Sequence, residues 1–243
     1  MRALLGVSWL IDHVTAFIGK AVSWLIVVAV LVSSINAVVR KVLNESSNGW
    51  LELQWYLFGA TFFLASAWTL ARREHIRIDI VSGLLPVRWR QWIELVGHIL
   101  FLMPLCLLTL YLAWPFFGSS VVGTAAWGGL HGFEAQARAV AASIAGGLAD
   151  QVARLPMMWD NLAAGRPIGA GLVEQPGRAF GWDYSNSAGG LPIWPAKAMI
   201  VGGFILLTLQ GVSEILKQLG VLSGAITPAE DHGGHHGAEL HDG

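Results

Sequence analysis

Six ionisable side chains fall within eight residues in the stretch LARREHIRIDIV: Arg72, Arg73, Glu74, His75, Arg77 and Asp79. That density allows three chemistries: a catalytic cluster, a nucleic-acid patch, or charge that orients a chain in a membrane. As a catalytic cluster it is poor, because near-consecutive residues fan out around a helix axis and do not converge. As a nucleic-acid patch it lacks support from the whole chain, whose net charge is −1 and supplies no bulk attractive field. Two other groups invite attention. His98 lies in an apolar run, where an ionisable residue is a functional candidate by default. A b-type haem, however, commonly takes a second histidine facing the first across helices, and no other apolar run has a central one. The tail histidines His232, His235, His236 and His241 suit zinc, copper or nickel, but their Gly-rich setting gives no preorganised geometry, and adventitious binding is the better reading.

What positions these groups is a chain of 243 residues that is 54% hydrophobic and only 13% charged. Soluble domains carry about 25% charged residues, so roughly half the usual charge is missing. The twelve tryptophans suit membrane–water interfaces, where the ring is buried and its N–H stays wet. One cysteine, Cys106, excludes an internal disulfide and a cysteine metal cluster. The class is an all-α integral membrane protein.

A helix needs about 20 mostly apolar residues to cross the hydrocarbon core. Four stretches qualify, at residues 21–39, 53–71, 95–117 and 193–216. The last is interrupted only by Lys197 and Glu214, near enough to its ends to snorkel. The N-terminal twenty residues, broken by Asp12 and His13, read as an amphipathic interfacial helix leading into the first span, not as a cleavable signal. Residues 118–192 form a long outer loop whose stretch EAQARAVAASIAGGLADQVARL reads as an amphipathic helix; Gly and Pro break up the remainder. The four-span domain closes near residue 226, and 227–243 is a polar, His-rich tail expected to be disordered.

Charge then assigns sides. The segment between spans two and three carries Arg72, Arg73, Arg77, Arg88 and Arg90, whereas the short loop before it has only Arg40 and Lys41 at its edge. The positive-inside rule puts the Arg-rich segment, and with four spans both termini, in the cytoplasm. The opening cluster is thus a topology anchor with lipid-phosphate contacts. Trp50, Trp55, Trp89, Trp92, Trp114 and Trp194 fall near span ends and read as interfacial anchors. Pro104 should bend the third span, and Gly202, Gly203 and Gly211 allow close approach in the fourth. Phosphate-loop, dinucleotide and zinc-protease motifs are missing, as are the repeated halves and broken helices of a self-sufficient transporter. By physics alone this is a membrane subunit that needs a partner. The runner-up is the membrane anchor of a redox enzyme.

Two stretches add a resemblance: INAVVRKVLNESSNGWLELQWYLFGATFFLASAWTLARREHIRIDIV, and GGLPIWPAKAMIVGGFILLTLQGVSEIL near the end. Asn36 and Arg40 close the first span, Glu52 opens the second, REHIRID follows it, and GLPIWP precedes the last. In that order they resemble the small membrane subunit of tripartite ATP-independent periplasmic (TRAP) transporters. The long outer segment is similar to the branch labelled for mannitol or chloroaromatic compounds.

The resemblance implies a scaffold subunit in the bacterial inner membrane that packs against a large multi-span transport subunit. A periplasmic protein delivers an organic acid, and the large subunit carries it with sodium. This chain is then expected to hold no catalytic residue, substrate, metal or other cofactor, with sodium on the large subunit only. Its expected partners are that subunit, the binding protein and membrane lipids, and no nucleic acid. Contacts to partner or lipid fall on Asn36, Arg40, Trp50, Glu52, Trp194 and Lys197. The outer segment is expected to touch the binding protein or cap the large subunit.

Overall fold

The computed structural model describes residues 2–42, 48–72, 86–166, 175, 177–186 and 190–223. Seven α-helices account for most of them: α1 (Arg2–Val42), α2 (Asn48–Ala71), α3 (Val87–Gly97), α4 (Met103–Val122), α5 (Thr124–Gly128), α6 (Phe133–Ala163) and α7 (Trp194–Leu222). A π-helical turn, His98–Leu102, joins α3 to α4 without a break. Pro104 explains this turn: it has no N–H to give, so the helix widens just ahead of it, with the Met103 N–H reaching back to the His98 carbonyl. The sequence anticipated a bend at Pro104; the structure supplies a widened turn.

Three helical stretches are long and apolar enough to cross a membrane: Gly6–Val42, Trp89–Val122 and Trp194–Leu222. Helix α2 is also long enough, at 24 residues, but Gln54, Trp55, Tyr56, Gly59, Thr61 and Ser66 dilute its hydropathy. The expected break between an interfacial N-terminal helix and the first span is not there, because α1 is one helix of 41 residues. Its buried positions explain the continuity. Ser8, Thr15, Val22, Ala29 and Asn36 recur every seventh residue, joined by Gly19 and Val32. This one seam runs past Asp12, so a single straight element satisfies its packing throughout. The inward face is marked by small and polar residues, as expected where lipid is as apolar as leucine.

Contacts between helices fix their directions. Gly19 of α1 sits against Trp68, whereas Asn36 lies beside Leu51 and Gln54, so α1 and α2 are antiparallel. Ser8 meets Ser213 and Asp12 meets Lys217, so α1 opposes α7. Glu52 meets Leu191 and Phe63 meets Gly203, so α2 and α7 run the same way. Glu94 meets Gln218 and Phe116 meets Lys197, so α3–α4 opposes both. One end of the bundle therefore holds the start of α1, the ends of α2 and α7, and the start of α3. At Gly203 a Cβ would lie 2.6 Å from the Phe63 carbonyl oxygen, so the close approach of α2 to α7 depends on glycine there.

Above the opposite end sits a small outer lobe. Val140 of α6 and Trp182 join Ala113, Phe117, Val121 and Val201 in one apolar cluster. A 3-10 turn, Arg178–Phe180, is followed by Gly181 with φ of 96°, its Cα pressed on the end of α4: a Cβ there would meet the Val122 carbonyl oxygen at 2.2 Å. An isolated antiparallel bridge, Tyr184 to Pro192, returns the chain to α7. The expected helix at Glu134–Leu155 is present and continues through Pro156 to Ala163.

Candidate functional site

The largest assembly of chemistry-bearing side chains within the bundle is one that the sequence reading did not assemble. Asp12 of α1 faces Gln210, Ser213 and Lys217 of α7. Its carboxylate accepts from Gln210 Nε2 at 2.8 Å, Ser213 Oγ at 2.9 Å and Lys217 Nζ at 2.9 Å. Glu214 accepts from Lys217 at 2.5 Å and from Gln210 at 3.3 Å. One turn earlier on α1, Ser8 Oγ and Ser213 Oγ lie 2.7 Å apart. On the other side of α7, Gln218 Nε2 donates to Glu94 of α3 at 3.0 Å. The network thus joins α1, α7 and α3 near the end of the bundle that carries both chain termini.

Glu214 corrects an expectation. It does not snorkel: it is 2% exposed, because α1 covers it and Lys217 lies within reach one turn on. Lys217 is shared between two carboxylates, and the hydroxyls and amides around it complete their bonding, which is how buried charge is tolerated. A signal for this existed in the sequence. Ser8 and Asp12, four apart, share one face of α1, and Gln210, Ser213, Glu214 and Lys217 share one face of α7. The two faces could be matched only once the antiparallel register was known.

His98, the haem-ligand candidate, directs Nδ1 to the Glu94 carbonyl oxygen at 2.6 Å. Among the described residues, no group of three or more His, Cys, Asp or Glu is placed to hold a metal. The tail histidines lie outside the described residues.

The predicted contact residues separate into two groups. Asn36 and Arg40 do come together, with Ser33, Lys41 and Gln54, in a groove of about 420 Å³ at the outer end of α1 and α2. Glu52, Trp194 and Lys197 serve the chain itself. Glu52 accepts from Ser185 Oγ at 2.5 Å and from the Leu191 N–H at 2.7 Å, tying the outer lobe to the start of α2. Tyr56 reinforces this by donating to the Pro192 carbonyl at 3.1 Å. Trp194 packs on Trp182 with ring centroids 5.2 Å apart, and the Lys197 ammonium sits 4.0 Å over the Phe116 ring. Trp114 is likewise drawn inward: its indole N–H donates to Gln136 at 2.9 Å and its ring meets Trp127 and Phe133. Trp50, Trp55, Trp89 and Trp92 remain exposed, as interfacial anchors should. Of the Arg anchors, Arg72 is exposed with its guanidinium 5.3 Å over the Trp68 ring. Arg90 lies on α3, as does the backbone of Arg88; Arg73 and Arg77 fall outside the described residues.

In the outer lobe Asp150 of α6 receives the Gly177 N–H at 2.9 Å and pairs with Arg154 at 3.0 Å. The Gly177 bond, then Arg154, holds its carboxyl below the usual aspartate range. Burial raises the Tyr184 hydroxyl above its ordinary value. Ser143 Oγ lies 2.7 Å from the Val121 carbonyl and 2.6 Å from that of Phe180, stitching α6 to α4 and to the 3-10 turn.

Neither the comparison with curated proteins nor that with solved structures finds a match. A family model does match, over residues 26–173, and its description is the DctQ component of tripartite ATP-independent periplasmic transporters. The match takes in Asn36, Arg40, Glu52 and the Arg-rich segment, and it ends before the Asp150-bound turn and α7. Because it spans more than half of the sequence, the chain belongs to the DctQ family, the small membrane subunits of TRAP transporters.

Proposed function

We propose that this chain is the scaffold subunit of a sodium-coupled TRAP transporter that imports an organic acid, packing against a large transport subunit and binding no substrate itself. In this reading four helices cross the inner membrane: α1, α2, α3–α4 and α7, with α2 included because it lies alongside α1 and α7 for its length. The end of the bundle with both termini and the Arg-rich segment faces the cytoplasm, and the outer lobe faces the periplasm and its binding protein. The long outer segment suits the mannitol or chloroaromatic branch.

The observation that carries this reading is where the polar chemistry lies. Asp12, Glu214, Lys217 and Gln210 bond one another between helices, while the outward faces are apolar, with Phe17 at 75%, Trp24 at 71% and Tyr111 at 77% exposure. A subunit that handled substrate would keep polar groups open toward a path. This one closes them inside and offers large apolar faces for lipid and a membrane partner.

The test is co-purification in mild detergent of the tagged chain co-expressed with its large membrane subunit. A stable one-to-one complex without haem absorbance is expected. A lone chain, or a Soret band, would overturn the reading, the latter in favour of a redox anchor.

A further inference from the structure

Helix α6 wears its polarity the wrong way round for a helix standing in water. Asp150 and Arg154 face the protein, bonded to Gly177 and to each other. Ser143 and Gly147 are buried on that same side. The opposite side carries Ala141, Ala145, Leu148, Val152, Leu155, Trp159 and Leu162, and all seven are exposed. The large ones are open by 46% at Leu148, 63% at Val152, 55% at Leu155, 70% at Trp159 and 54% at Leu162. Their spacing alternates four and three residues throughout, which is the seam of a coiled coil. It runs 21 residues, about 32 Å at 1.5 Å per residue.

Helix α6 runs in the same direction as α4. Trp114 of α4 meets Gln136 of α6, and seven residues further along each helix Val121 meets Ser143. Helix α4 ends at Val122, so Leu148 to Leu162 extend past it, from about 8 to about 28 Å beyond Ser143 along the axis. Ser143 is itself about 10 Å along from the Trp114 level. The bilayer does not reach these side chains, and water is a poor cover for so continuous an apolar seam.

We infer that this seam is a dimerisation surface, and that its occupant is α6 of a second copy of this chain in a parallel two-stranded coiled coil. The inference rests on the proposed reading that the outer lobe stands outside the membrane. Copies inserted in one membrane share one orientation, so their α6 helices project the same way. A two-fold axis along the membrane normal then pairs each seam residue with itself.

The residue types fit that arrangement. Leu148, Leu155 and Leu162 occupy successive d positions, and β-branched Val152 occupies the a position between the first two, the combination that favours two parallel strands. The flanking e and g positions are Ala142, Ala149, Pro156, Ala163, Ile144, Gln151 and Met158, so no like charges oppose self-pairing. Nor does any charge there select a foreign helix. Trp159 is large for an a position. It lies beside an apolar hollow of about 620 Å³, shared with Val152, Leu155, Pro156, Met158 and Leu162, which gives an indole room. A delivery protein that must come and go is a poor occupant, since its matching face would be apolar whenever it was free.

The test is cysteine cross-linking of the full chain, co-expressed with its large subunit, in membrane vesicles. With Cys106→Ala as background, Leu148→Cys, Leu155→Cys and Leu162→Cys are each oxidised, with Met157→Cys as an equally exposed residue off the seam. Residues paired across the axis should meet the Cα separation of about 4.4–6.8 Å that a disulfide needs. The three seam variants should give a disulfide-linked dimer, Met157→Cys should not, and Leu155→Glu should abolish dimer captured by a short amine cross-linker. Cross-linking at all four sites alike, at none, or to the large subunit or the binding protein from the seam cysteines would overturn the inference. Recovery of the large subunit is scored on the same vesicles. A seam-specific dimer without it would leave the pairing standing and sink the transporter-subunit reading; the complex without the dimer would do the reverse.

Discussion

Replacing Asp12 by Asn keeps its shape and removes the charge that Lys217 faces. In the native bundle that carboxylate accepts from Gln210, Ser213 and Lys217 at 2.8–3.1 Å, all across the α1–α7 contact. An interhelical hydrogen bond inside a membrane protein is worth about 0.6 kcal/mol on average and about 1.7 at most. Three such bonds bound the loss between roughly 2 and 5 kcal/mol before discounting. The Asp12 and Lys217 side chains are 33% and 28% exposed, and Lys217 keeps Glu214, so the lower bound is the better guide and about 2 kcal/mol is expected. For a chain of this size that lowers the melting temperature by about 4–8 °C. The assay is thermal or SDS unfolding in detergent of Asp12→Asn, Lys217→Met and the double variant. Coupling shows as a double variant less destabilised than the sum, by about 1 kcal/mol or more. Additive effects would refute the idea that α1 is latched to α7 through these charges, and an unchanged Asp12→Asn protein would refute the magnitude.

Two neighbouring glycines on α7 give a second, sharper contrast. Gly203→Ala must push the Phe63 backbone aside and is expected to cost about 1–3 kcal/mol, whereas at Gly202 the nearest atom to an added Cβ is a Leu64 methyl at 3.6 Å and the same change should be neutral; equal melting temperatures would show that α2 and α7 are not in close approach. In the outer lobe, Asp150 has a lowered folded-state pKa. The stability it contributes is therefore present above its unfolded value of about 3.9 and is lost as pH falls through the lower folded value. Proteolysis at residues 164–182 should be slow at pH 7, accelerate only on strong acidification, and be already fast at pH 7 in Asp150→Asn; the same protease rate in both proteins at pH 7 would refute the anchor.

How much of this was legible beforehand follows from what kind of signal each element carries. Long runs without charge announced α1, α3–α4 and α7, because the cost of charge in hydrocarbon leaves a mark that needs no partner to read. Helix α2 was legible too, from Glu52 and Arg72 bracketing an uncharged run, although its aromatic and polar content keeps its hydropathy low. The inward faces were not legible in the same way. Ser8, Thr15 and Gly19 pack inside while Phe17, Trp24 and Leu31 face outward, the reverse of a soluble helix, so large apolar residues do not mark the core. Reading Asp12 as the break between an interfacial helix and a span followed from that. An acid inside an apolar stretch signals either an end or an internal bond, and only the register of α7 against α1 decides. Glu52 was singled out correctly as a residue with a fixed task, but its carboxylate closes the outer lobe instead of reaching outward, which depends on Leu191 lying 139 positions away.

The same logic explains why the small outer segment is the most informative part of the chain. Inside the membrane, apolar exposure carries little meaning, since lipid satisfies it without specificity. Beyond the end of α4 it carries a great deal, because water does not. Helix α6 spends its only mid-helix ion pair, Asp150 with Arg154, on holding a turn of its own chain, and it leaves a regular apolar seam on the side that faces away. In the spans, burying polar groups between helices and turning leucines outward is how a membrane bundle holds together. Carried past the bilayer, the same arrangement has no lipid to complete it, and only another protein surface of matching period can.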